Sequence, residues 1–166
     1  MATILVLHGP NLNLLGTREP EIYGPETLDD INARLSSTCM DAGHHLMHMQ
    51  SNAEYELIDR IHDARREEIN FIIFNPAALT HYGWSLHDAL AAFEGPIVEL
   101  HLSNPNTRES WRHVSVVAPI ATGSIIGFGG RGYRLAVEAI AHELGESTWM
   151  GSDRSLANQS QTDTAE

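Results

Sequence analysis

Short apolar runs alternate along this chain with longer stretches in which apolar residues recur at helical spacing, the pattern of repeated βαβ units. Ile4–Leu7 is the first run and reads as a buried strand. Thr27-Leu-Asp-Asp30 is an aspartate-ended capping box. Leu28, Ile31 and Leu35 then fall on one helical face, so a helix should run to about Asp41 and stop at Gly43. Leu46–Met49 is a shorter second strand. Ser51-Asn-Ala-Glu54 reads as another capping box, opening a helix with the stripe Leu57, Ile58 and Ile61. The pattern continues with a strand at Phe71–Phe74, a helix around Ser85–Ala92, strands at Ile97–Leu102 and Val114–Val117, and a closing helix over Tyr133–Leu144. Five largely apolar strands joined by helical crossovers predict an α/β fold. The expected form is a flavodoxin-like, doubly wound, five-stranded parallel sheet covered on both faces, as a single domain over residues 1–145. Residues 146–166 are polar and poor in apolar positions, and are expected to be a disordered tail.

In such a sheet, ligands bind outside the carboxyl ends of the strands. The residues there are His8-Gly-Pro-Asn11, Asn75-Pro76 and His101-Leu-Ser-Asn104, which predict a polar rim assembled from separate loops. The segment GPNLNLLGTREPEIYG, from Gly9 to Gly24, is longer than a connector needs and reads as a binding loop or lid. It carries Arg18 and Tyr23. A tyrosine of ordinary pKa about 10 is a poor base unless a cation stabilises its phenolate, which a nearby arginine can do. Glu99 and His101 stand two apart on a strand and so share a face. A carboxylate beside an imidazole orients it and favours its protonated form, which suits a general acid; a satisfied surface pair is the alternative. A base on a lid facing an acid on a rigid strand is an arrangement for eliminating water from a hydroxylated carbon acid.

Composition narrows the choice. The 166 residues carry a net charge of -12 at pH 7, which offers no basic footprint for nucleic acid or an anionic membrane. An anionic small molecule remains possible if arginines gather in one pocket. All 10 basic residues are arginine. Without lysine there is no Schiff-base, pyridoxal-phosphate or Walker-type chemistry. The single cysteine, Cys39, lies at helical spacing from Leu35 and reads as a small core residue, which fits a reducing cytoplasm. Met1-Ala-Thr has no basic leader character, and no apolar run approaches the roughly 20 residues of a membrane span. GFGGRG, Gly127 to Gly132, matches a dinucleotide fingerprint but follows the last strand with no ribose-binding acid after it, so it reads as close backbone packing. Gly83-Trp-Ser-Leu-His87 fails the hydrolase elbow at its last position. His44, His45 and His48 crowd the second strand, with 44 and 48 on one face and 45 on the other, and read as a solvated edge rather than a metal site.

Four motifs, GPNLNLLGTREPEIYG, NPAALTHYGWSLHDAL, PIVELHLSNPNTRESWRH and GYRLAVEAI, stand in an order and at separations that closely resemble the type II 3-dehydroquinate dehydratases. The similarity runs from about Ile4 to Leu144. The resemblance implies that Tyr23 removes a proton alpha to the substrate ketone, that Arg18 stabilises its phenolate, and that Asn11 stabilises the enolate. It implies that His101, backed by Glu99, donates the proton to the departing hydroxyl. Asn75, His81, Leu102, Ser103 and Arg112 would hold the substrate's hydroxyls and carboxylate. Asp88 would reach the site from a neighbouring subunit of a trimer, with trimers joined into a homododecamer. The expected reaction uses no cofactor and no metal, on a small-molecule substrate, in the cytoplasm, in aromatic biosynthesis or quinate catabolism. The chain departs from the family's pattern at Tyr82-Gly83, His87 and Pro105-Asn106, which bears on the subunit contact near Asp88. The rival class is a non-enzymatic flavodoxin-like module. A phospho-receiver needs acids after the first strand and a later lysine, and this chain has His8 and no lysine; an FMN carrier would be yellow.

Overall fold

The structure, a computed structural model, describes residues 1–145, apart from the side chains of Pro20, Tyr23 and residues 141–145. The tail expected over 146–166 lies outside the described residues. The 5 strands are β1 Thr3–His8, β2 His45–Gln50, β3 Phe71–Asn75, β4 Ile97–His101 and β5 Gly123–Ile126, all parallel and ordered β2-β1-β3-β4-β5. That is the doubly wound, flavodoxin-like order, with its topological switch between β1 and β3.

A short helix, α1 Pro20–Tyr23, sits in the loop after β1. Helix α2, Leu28–Asp41, opens on the expected reciprocal cap, Thr27 accepting from the Asp30 N–H, and the chain leaves it through Gly43 at φ 75°. Helices α3 Glu54–Arg66, α4 Trp84–Ala91 and α5 Arg131–Gly145 complete the layers. Ile31, Leu35 and Cys39 of α2 pack with Tyr133, Ala136 and Val137 of α5 on Ile4, Val6, Ile73 and Val98. Leu57 and Ile61 of α3 pack with Leu86 and Leu90 of α4 on Leu5, Leu7, Ile72 and Phe74. Alternate residues of β1 and β3 therefore enter opposite cores. This is why those strands show no polar alternation, each buried side chain contributing about 1.5–3 kcal/mol. Cys39 is fully buried, and burial pushes its thiol up to about 11.

Two expectations need correction. Val114–Val117 is not a strand; the fifth strand is Gly123–Ile126. Val116 and Val117 are buried against the α3–α4 face without joining the sheet ladder, Val116 N–H donating instead to the Thr80 carbonyl at 2.7 Å. Nor is Ser51 the cap of α3. The N-cap is Ala53, and the Ser51 hydroxyl accepts from the Ala53 N–H at 2.9 Å while bonding Glu56 rather than Glu54. A serine followed two residues on by its own backbone partner forms a local turn just before the helix.

Candidate active site

Loops following β1, β3 and β4 enclose a cleft of about 140 Å³ beside the switch point. Asn11, Arg18, Asn75, His81, His101, Leu102, Ser103 and Arg112 all line it, so the strand-end rim forms, though without His8. Arg108 and Trp111 line it as well and were not foreseen from the sequence. No carboxylate is among the lining residues, whereas Arg18, Arg108 and Arg112 are. On a chain of net charge -12, that concentrates cations in a cleft suited to an anionic small molecule.

Each loop presents its side chains by a local device. Gly9 allows the β1 loop to press on the β3 loop, since a Cβ there would meet the Pro76 carbonyl oxygen at 2.5 Å. Asn11 then turns in the left-handed region at φ 67°, its N–H donating to Asn52 Oδ1 at 2.8 Å. Arg18 pairs with Glu19 at 3.0 Å. The backbone of Tyr23 ends α1, and its side chain is outside the described part of the structure. After β3, the Ala77 N–H donates to Asn75 Oδ1 at 3.2 Å, and Ala77 itself is held at φ 52°, a strained value for alanine. His81 donates from Nδ1 to the Val114 carbonyl at 2.7 Å and stands edge-on to Trp111, with ring centroids 5.2 Å apart. The Arg112 guanidinium lies 3.9 Å over the Trp111 ring and is held by Glu109 at 2.7 Å, a carboxylate that also faces Arg108 at 3.7 Å. Trp111 thus fixes both a histidine and an arginine, one through its edge and one through its face.

His101 and Glu99 share a face as the strand period requires, with Nε2–H donating to Glu99 Oε1 at 2.8 Å. The pair is a buried one. Glu99 is 2% exposed and takes further hydrogen bonds from Thr80 at 2.5 Å and Ser115 at 2.9 Å. Burial alone would raise the Glu99 pKa; the hydrogen bonds from His101, Thr80 and Ser115, with the His101 charge, outweigh it and hold the carboxyl below its ordinary value. The segment mistaken for a strand therefore has a different task. Val114 receives His81, Ser115 supports Glu99, and Val116 ties down Thr80.

His8 does not stand on the rim. It is fully buried on the α2–α5 face, where it bonds Tyr133 and Asn32. Asp88 lies exposed on α4 and does not line this chain's own cleft. His45 and His48 are exposed on the edge strand β2, His44 is half-buried and accepts from the Ala2 N–H at 3.2 Å, and no group of three or more metal-ligating side chains occurs among the described residues. Gly127 and Gly129 turn at φ 87° and 57° between β5 and α5, and the Gly129 N–H donates to the Leu102 carbonyl at 2.9 Å. GFGGRG packs the backbone against the β4 loop, as expected.

The family model described as dehydroquinase class II matches residues 2–141. A 3-dehydroquinate dehydratase of Saccharophagus degradans is 64% identical over 144 residues, covering 87% of this chain and 99% of that protein. One from Teredinibacter turnerae is 62% identical over 144 residues, covering 87% and 94%. Among solved structures, the type II dehydroquinase of Propionibacterium acnes superposes with a TM-score of 0.82 at 42% identity, over 86% of this chain and 97% of that one.

Proposed function

The chain belongs to the dehydroquinase class II family, and we propose that its cleft removes water from 3-dehydroquinate through an enolate, with Tyr23 as base and His101 as acid. The chain is a hydro-lyase acting on that small, anionic substrate. The observation that carries the reading of the site is the union of three arginines, no carboxylate and the Glu99-backed His101 in one cleft at the switch point.

Tyr23, as its phenolate, takes a proton from the carbon alpha to the ketone, and Arg18 stabilises that phenolate. The electron pair moves onto the carbonyl oxygen as an enolate, which Asn11 stabilises. The enolate then reforms the ketone as the C1 hydroxyl leaves with a proton from His101, so the atoms lost sum to one water. Glu99 orients the imidazole for that transfer. Asn75, His81, Leu102 and Ser103 hold hydroxyls, and Arg112 presents a fork suited to the carboxylate. No step calls for a metal or a cofactor. Asp88 completes the site of a neighbouring chain in a trimer, and the trimers join into a dodecamer. Its exposure on α4, away from its own chain's cleft, supports this assignment. The setting is the cytoplasm, in the shikimate or quinate pathway; no helix among the described residues is long and apolar enough to cross a membrane.

The test follows the ultraviolet absorbance of the conjugated enone after 3-dehydroquinate is added. Tyr23→Phe should lose nearly all turnover with its fold intact; retention of more than about a tenth of the rate would reject the base, since general acid–base groups contribute about 10²–10⁴-fold. Tyr23→Phe and Asp88→Ala chains co-expressed in one oligomer should recover activity above the mean of the parents, because some sites then combine both intact groups.

A further inference from the structure

Behind Asn75 of the cleft lie three polar groups, His8, Tyr133 and Asn32, that the reaction does not use. His8 and Asn75 are lateral neighbours across β1 and β3, and their side chains emerge on the α2–α5 face. Tyr133, fully buried on α5, reaches between them, with its Oη 2.8 Å from His8 Nδ1 and 3.2 Å from Asn75 Nδ2. Asn32 of α2 closes the far end, its Oδ1 2.9 Å from His8 Nε2. Four polar side chains inside an apolar core need a reason, because each must find a partner or lose the full cost of leaving water.

The bonding admits one direction. Asn32 Oδ1 can only accept, so His8 Nε2 carries the proton. Burial lowers the His8 pKa to about 4, so at neutral pH the ring is uncharged and its Nδ1 is an acceptor. The Tyr133 hydroxyl must therefore donate to His8, which leaves its lone pairs to accept from the Asn75 Nδ2–H. With Nδ2 committed to Tyr133 and Oδ1 to the Ala77 N–H, the Asn75 amide cannot turn over. Its remaining N–H and its remaining lone pair point as they do because of a chain of bonds that ends at Asn32 on α2.

We propose that Asn32, His8 and Tyr133 are positioning residues that fix the side-chain amide of Asn75 in one orientation toward the substrate. The proposal rests on the reading that Asn75 contacts 3-dehydroquinate. It separates this network from ordinary core packing, because its effect must pass through one amide.

A double-mutant cycle between Tyr133→Phe and Asn75→Ala, read in KM and kcat, tests it. Tyr133→Phe keeps the ring and should raise KM about ten-fold, the loss of one oriented hydrogen bond, with a smaller change in kcat. Added to Asn75→Ala, the same substitution should change KM by less than about two-fold, within the usual additivity error. Equal losses in both backgrounds, or no loss from Tyr133→Phe while Asn75→Ala is impaired, would overturn the positioning role. If Asn75→Ala changes neither parameter, the substrate contact itself is wrong and the proposal falls with it. Should Tyr133→Phe fail to fold, Asn32→Ala takes its place: it frees His8 to adopt the opposite tautomer, and should show the same rise in KM and the same silence beside Asn75→Ala.

Discussion

Thr80→Val isolates one hydrogen bond on the buried carboxylate. The substitution keeps side-chain volume while deleting the hydroxyl 2.5 Å from Glu99 Oε1, at a site where Thr80 is 1% and Glu99 2% exposed. Water cannot replace the lost donor, so the cost is that of a hydrogen bond to a charged group, about 1.5–3 kcal/mol. At about 3 °C per kcal/mol for a domain of this size, the melting temperature should fall by roughly 5–10 °C at neutral pH. The pH dependence has a fixed sign. Glu99 is held below its unfolded value of 4.5, so the stability it contributes is complete above that value and is lost as pH falls through the lower, folded one. The gap between wild type and variant should therefore be constant near neutrality and close below pH 4.5. Thermal melts at one protein concentration, stepped down from pH 7, measure both quantities. Thr80→Ser, which keeps the hydroxyl, should lie closer to wild type. A fall of less than roughly 2 °C at pH 7, against the several degrees expected per 2 kcal/mol, would refute the reasoning. So would a gap that stays constant through the acid range.

Gly9→Ala would drive a methyl into the Pro76 backbone, 2.5 Å from its oxygen and 2.7 Å from its carbonyl carbon. It should cost about 1–3 kcal/mol in denaturant unfolding and raise KM, as the β1 and β3 loops part; normal values of both would refute the contact. Activity should survive borohydride added with substrate, because no lysine exists to form an imine, and should survive exhaustive EDTA; loss in either assay would contradict the proposed chemistry.

The strand ends were legible because burial on both faces erases polar alternation, so His8, Asn75 and His101 stand out where an apolar run stops. The Glu99–His101 pair was legible from the strand period alone. Val114–Val117 misled because an apolar run reports burial, not pairing; Val116 and Val117 fill the α3–α4 face while β5, at the sheet edge, spells Gly-Ser-Ile-Ile with little to announce it. Thr80 and Ser115 were missed because their partner Glu99 is distant in sequence. Asn32 and Tyr133 did carry a signal. Asn32 is one turn from Leu28 on the inward face of α2, and Tyr133 sits on the apolar face of α5 with Ala136 and Val137. A polar group at a core-facing position asks for a partner, and only the fold could name it.

The parallel order of the sheet also sets when the cleft can exist. His8 and Tyr133 are 125 positions apart, and Asn75 and Tyr133 are 58 apart. Loops of that length must close before their contacts return any free energy, so nothing short of the full crossover sequence assembles the site. An intermediate holding β1, α2 and β2 possesses Asn11 and Arg18 but has no wall opposite them. Adding β3 and β4 supplies Asn75 and His101, yet Asn75 Nδ2 lacks its Tyr133 partner until α5 docks. Full substrate affinity after dilution from denaturant should thus return no earlier than the docking of α5 and, for the shared site proposed above, the arrival of the neighbouring chain's Asp88.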